Sequence, residues 1–134
     1  MYCERLRSTE IFNRDALNLL RLKDTPESFM LIDPPYISSD QGQYSGYTSV
    51  DMKALLDTCA DMNGKFILTS YTEDLLIEYV EKYRWKLIQV QKPIAIDGKR
   101  DGIKMKVECI TLNYLPPQLE LDLFDDITVT SVPQ

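Results

Sequence analysis

The stretch Phe29-Met30-Leu31-Ile32-Asp33-Pro34-Pro35-Tyr36 constrains this chain more than any other. Four apolar residues run directly into an acid, two prolines and an aromatic ring. An unbroken apolar run ahead of turn residues predicts a buried parallel strand in an α/β sheet. In open sheets of that kind, ligands bind beyond the carboxyl ends of the strands. Asp33 therefore falls where a reactive carboxylate is expected. Pro34 biases Asp33 away from helical backbone, and each proline fixes its own φ. The corner at 33–36 is stiff, poor in N–H donors and rich in free carbonyls.

Such a corner suits a planar heterocycle that bears an amine. The carboxylate and a proline carbonyl can accept the amine's two hydrogens while the ring of Tyr36 stacks on the base. Both acceptors draw the nitrogen lone pair out of conjugation, so the amine can attack an electrophilic methyl group. Asp33-Pro34-Pro35-Tyr36 resembles motif IV of the amino-methyltransferases, and in this acidic form it is most similar to DNA adenine methyltransferases. The bland alternative is a strand that ends in a proline-rich turn, because four-residue matches arise easily.

At 134 residues the chain has the length of one domain, and 27% charged residues is ordinary for a globular protein. No apolar run approaches the roughly 18 residues of a membrane span, and the opening residues lack the apolar core of a signal peptide. Cys3, Cys59 and Cys109 contain no Cys-x-x-Cys pair and read as reduced thiols in a cytoplasmic protein. With no histidine, His-based triads and the usual metal sites are not expected. The net charge of −6 argues at first against a nucleic-acid partner. However, residues 117–134 hold Glu120, Asp122, Asp125 and Asp126 and no base, so 17 acids face 15 bases without them. Residues 82–106 carry eight bases against two acids, a basic stretch able to meet phosphates or simply to be a solvated edge.

In chain order, residues 9–12 predict a short strand, and Asn13 a cap for a helix through about Leu22. After the proline corner, residues 37–48 are polar and glycine-bearing and predict a loop of the kind that carries function. Tyr44 and Tyr47 are its aromatics, able to stack on a base, wedge into a duplex or pack the loop down. Met52, Leu55, Leu56 and Cys59 fall at i, i+3, i+4 and i+7, one helical face capped by Thr48 or Ser49. Strands are predicted at 65–69, 85–90 and 107–112, with a helix capped by Thr72 between the first two. The expected fold is α/β, a mainly parallel sheet with flanking helices and right-handed crossovers. The last two strands, joined without a helix, predict an antiparallel edge hairpin.

Taken together, residues 9–115 resemble the second half of the catalytic domain of a Dam-like DNA adenine-specific methyltransferase. The resemblance rests on the acidic turn from Ile11 to Asp15, the 33–36 corner, and the Tyr44-Ser45-Gly46-Tyr47 loop. It continues through Gly64-Lys65-Phe66-Ile67-Leu68, Arg100, Lys106-Val107-Glu108 and Asn113-Tyr114. One departure is Thr69-Ser70-Tyr71, where the family usually has Ser-Asn. The resemblance implies part of a Rossmann-like S-adenosylmethionine-dependent fold, divided as a partial catalytic domain over 1–116 and an acidic tail over 117–134. It implies a flipped adenine held by Asp33, Pro34, Pro35 and Tyr36, since the amine is otherwise tied up in the duplex. It places Asp33 and Asp15 beside S-adenosylmethionine, with Tyr44, Tyr47, Lys99 and Arg100 toward double-stranded DNA. An acid such as Asp15 can equally serve a helix start.

The family's glycine-rich Phe-x-Gly-x-Gly turn, where backbone must approach the donor closely, has no counterpart among Gly42, Gly46, Gly64, Gly98 and Gly102. The chain thus resembles about half an enzyme: a truncated gene, an excised domain or one piece of a split protein completed by a second chain. Gln118 to Phe124 resembles peptides that dock on the bacterial sliding clamp, extended with alternate apolar anchors. It can equally be an arm packed on the body. Two other functions stay open, an RNA guanine amino-methyltransferase and an inactive remnant that binds DNA or protein.

Overall fold

The computed structural model describes residues 4, 6–37, 46–94, 104–116 and 127–128. In chain order it runs α1 (Ala16–Lys23), β1 (Phe29–Ile32), α2 (Ser49–Ala60), β2 (Lys65–Tyr71), α3 (Asp74–Tyr83), β3 (Lys86–Ile94), β4 (Lys104–Leu112) and β5 (Ile127–Thr128). The α/β class expected from the sequence is the observed one.

The strands form one sheet in the order β1-β2-β4-β3-β5. Only β1 and β2 pair in parallel, with Ile32 opposite Leu68, while β4 lies antiparallel to both β2 and β3. This corrects the expectation of a mainly parallel sheet. The hairpin of β3 and β4 is present, but β4 slots between β2 and β3 instead of closing the edge. Composition explains the choice. β4 contributes buried Cys109, Thr111 and Leu112 to the interior. β3 carries Gln89, Gln91 and Pro93, and a strand with a proline suits a less enclosed place. Since β4 opposes both of its neighbours, β1, β2 and β3 all point the same way.

One face of the sheet holds the core. Ile32, Phe66, Leu68, Leu87 and Cys109 meet Met52, Leu55, Leu56 and Cys59 of α2 and Leu76, Tyr79 and Val80 of α3. Phe66 and Trp85 meet edge to face at 5.1 Å. Along β2 the alternation is strict, with Phe66, Leu68 and Ser70 buried and Ile67, Thr69 and Tyr71 half-buried on the other side. β1 departs from the buried strand predicted for it. It bonds to β2 alone among the described residues, and Phe29 and Leu31 are 57% and 69% exposed. Its apolar residues lie on both faces, but only one face is packed, so only Ile32 is buried.

Three local expectations also change. Residues 9–12 form no strand, and Ile11 is 91% exposed, because among the described residues no strand lies beside them to complete a ladder. The cap of α1 is Asp15, whose Oδ1 accepts from Asn18 N–H at 2.9 Å, two residues later than Asn13. The cap of α3 is Glu73, without a side-chain bond, since the Thr72 hydroxyl is taken up by Cys109 Sγ at 2.7 Å and by Gln89. Thr48 does cap α2, in a reciprocal box with Asp51.

Two polar brackets lock the lower end of β2. Asp24 accepts from the backbone N–H groups of Asn63 and Gly64. Asn113, just past β4, accepts from Phe66 N–H at 2.8 Å and donates to Gly64 C=O at 2.9 Å, standing in for one more residue of the ladder. The conformation at the opposite end of β2 decides the geometry of the site.

Candidate active site

β1 ends at Ile32, so the 33–36 corner sits at the carboxyl end of a strand, as the sequence predicts. Parallel pairing carries the end of β2 to the same place, and Thr69 follows the residue opposite Ile32. Thr69 Oγ1 donates to Asp33 Oδ1 at 2.5 Å, a short bond of the kind a charged acceptor makes. Tyr36 Oη reaches the same Oδ1 only at 3.5 Å, a weak contact. Among the described residues Asp33 Oδ2 takes no hydrogen bond, and Asp33 has no cationic partner. The carboxylate is exposed, with one oxygen anchored and the other open.

Tyr36 is half-buried, and its ring meets Tyr71 edge-on at 4.5 Å and 61°. Burial pushes its hydroxyl above the ordinary value, Thr69 acts in the opposite direction, and the Asp33 charge adds to the upward push. Tyr36 therefore stays neutral at physiological pH and offers an uncharged ring.

The corner divides two hollows. On one side lies a cavity of about 890 Å³ between α1, β1 and α2, walled by apolar residues such as Leu17, Leu20, Met30 and Leu55. Asp15, Asp33 and Asp51 line it, with Lys23 as a basic group that is already paired to Glu10 at 2.9 Å. A largely apolar chamber with carboxylates around it suits a ligand that joins a flat ring system to a cationic centre. On the other side, against Tyr36, Tyr71, Ser70 and Glu73, the hollow measures about 10 Å³. That is room for one water at most, not for a base.

The structure brings together Asp15, Asp33, Pro34, Pro35 and Tyr47 around the larger cavity. Asp15 is engaged as a helix cap while lining that wall. Tyr47 borders both hollows and packs on the core, its hydroxyl pointing to Met52 Sδ at 3.8 Å and pushed up to about 12 by burial. Tyr44, Lys99 and Arg100, and the segment from Gln118 to Phe124, lie outside the described residues. Ile127–Thr128, further along the tail, pairs with β3.

Sequence reasoning noted Thr69-Ser70-Tyr71 only as a departure from the family pattern and gave none of the three a role. Ser70 faces the core, and among the described residues its Oγ has no hydrogen-bond partner. Thr69 and Tyr71 face the corner. Strand alternation carries this signal, but only once the pairing of β1 with β2 is known.

Among the described residues, no helix is long and apolar enough to cross a membrane. Nor does any group of three or more Cys, Asp or Glu side chains there have the arrangement to hold a metal ion. No protein-family model matches the sequence, and no curated protein matches it.

Proposed function

We propose that this chain is the base-gripping part of a DNA adenine methyltransferase, which transfers a methyl group from S-adenosylmethionine to the exocyclic amine of a flipped adenine. The observation that carries this reading is the state of Asp33. It is an exposed carboxylate without a counter-ion among the described residues, anchored through Oδ1 and open at Oδ2, on the rim of an 890 Å³ cavity.

In this reading Asp33 Oδ2 and the Pro34 carbonyl accept the two amine hydrogens, and neutral Tyr36 stacks on the ring. The prolines keep the two acceptors at a fixed separation, so the corner needs little reorganisation when the amine arrives. As the nitrogen bonds to carbon it becomes cationic, and the nearby Asp33 charge favours that change. A proton then leaves the nitrogen, with Asp33 as the nearest acceptor. S-adenosylmethionine, when bound, supplies the electrophilic methyl and departs as a neutral thioether. The carboxylates of Asp15, Asp33 and Asp51 on the wall of the larger cavity suit its cationic character.

The 10 Å³ hollow beside Tyr36 means that a base enters only after Ile37 and Tyr47, which line it, give way. Lys99 and Arg100 would meet DNA phosphates, with Tyr44 beside the displaced base. The finer fold reading is part of a Rossmann-like methyltransferase sheet. It is supported by three co-directional strands, two reversed strands, and the open edge of β1. That edge also supports a chain that is incomplete alone. Donor binding is therefore expected to be weak, with a Kd of roughly 1 mM or above.

A nuclear magnetic resonance titration of the chain with S-adenosylmethionine tests this. Fast-exchange shifts at Asp15, Leu17 and Asp33 are expected. Shifts confined to another surface would contradict the site, and tight stoichiometric binding would contradict the incompleteness.

A further inference from the structure

We propose that Thr69 and Tyr71 are positioning residues, a two-pronged clamp by which β2 holds the Asp33–Tyr36 corner in register; the proposal rests on the reading of that corner as the amine-binding element. The two residues stand at i and i+2 on a strand, so both project from the same face. Each takes one end of the corner. Thr69 holds the carboxylate through the 2.5 Å bond to Oδ1. Tyr71 holds the ring of Tyr36 from its edge at 4.5 Å. Ser70 between them points into the core and takes no part.

The proline corner is stiff within itself, but stiffness does not fix its orientation on the sheet. β1 is an edge strand of four residues with two exposed side chains, so it offers the corner little support of its own. β2 is an interior strand, bonded on both sides and packed through Phe66 and Leu68. The clamp passes that rigidity to the corner. It also gives the two carboxylate oxygens separate duties. Thr69 occupies Oδ1 and so presents Oδ2 to the amine. A valine at 69 keeps the size and the strand preference but removes the donor, leaving the carboxylate free to turn. A serine keeps the donor.

Two measurements test the clamp. The first uses single-turnover methylation by the complete product of the coding region together with its neighbouring frames, at saturating donor and DNA. Thr69→Val and Tyr71→Ala are each expected to lower the rate by roughly 10-fold to 100-fold, the cost of a misplaced reacting group. The half-saturating concentrations should stay unchanged. Thr69→Ser and Tyr71→Phe should restore most of the rate. Thr69→Val at the wild-type rate, or Thr69→Ser as slow as valine, would overturn the proposal.

The second measurement needs no catalysis. Urea unfolding of Thr69→Val, Asp33→Ala and the double variant should show midpoint shifts that do not add, because the two side chains share one bond. Additive shifts would overturn the clamp. If the shifts couple while wild type transfers no methyl group, the clamp stands and the methyl-transfer reading falls.

Discussion

Asp33 and Asp24 show how the same side chain acquires different work from its surroundings. Asp33 is anchored by the Thr69 hydroxyl and, among the described residues, open at Oδ2. Asp24 spends its carboxylate on the backbone. The N–H of Asn63, foremost, and further hydrogen bonds from Gly64 N–H, the Asn63 side chain and Ser28 hold its pKa below the ordinary 3.8, against burial, the second-largest influence, which pushes it up. A carboxyl with a lowered folded pKa contributes stability in full above its unfolded value, and that contribution fades as pH falls through the folded one. Asp24→Asn should therefore cost about 1–3 kcal/mol at neutral pH, and the gap from wild type should narrow below about pH 4. Urea unfolding at several pH values checks this; a gap that stays constant on acidification would show that the carboxylate charge is not involved. At this scale the proline corner was legible, because its stiffness is written in four adjacent residues. Thr69 and Tyr71 were not, because their role depends on which strand lies beside β1 and in what register. Asp15 was read as an acid that favours a helix start, with the cap itself assigned to Asn13; the structure makes Asp15 the cap.

Among the elements, α2 could be read directly from its apolar spacing and its cap. Met52, Leu55, Leu56 and Cys59 are all buried, and Thr48, one of the two residues expected to cap, does so. The caps of α1 and α3 were harder, since several residues able to cap stand in a row and only the packed path of the chain selects among them. Residues 9–12 have strand-like composition, but a strand needs a neighbour. The approach to β2 is decided by Gly64. A Cβ there would stand 2.7 Å from the Thr25 carbonyl oxygen and 2.8 Å from that of Ser28. The Ser28 hydroxyl, at 2.0 Å, can swing aside, but the two carbonyls cannot. Gly64→Ala is thus expected to destabilise the fold by about 1–3 kcal/mol. Adding Ser28→Ala should recover little of the loss, and thermal unfolding of both variants checks the point; full recovery would show that the side chain alone sets the constraint.

For the whole molecule, the sequence conveyed the α/β class and the hairpin but not the insertion of β4 between β2 and β3. Strand order comes from long-range pairing, which local periodicity does not encode. The resulting sheet is asymmetric. At one flank β5 lies beside β3, while at the other β1 presents Phe29 and Leu31 outward, beside the 890 Å³ cavity. The open corner of Asp33 stands at that exposed flank, and under the proposed function donor binding by this chain alone is weak. The most direct test of the account is chemical. The coding region with its neighbouring frames should be expressed in a bacterial host that lacks adenine methylation, and its DNA hydrolysed and quantified by mass spectrometry. The account predicts N6-methyladenine with the wild-type chain and background levels with Asp33→Ala. Equal N6-methyladenine from both, or methylation of another base, would contradict it.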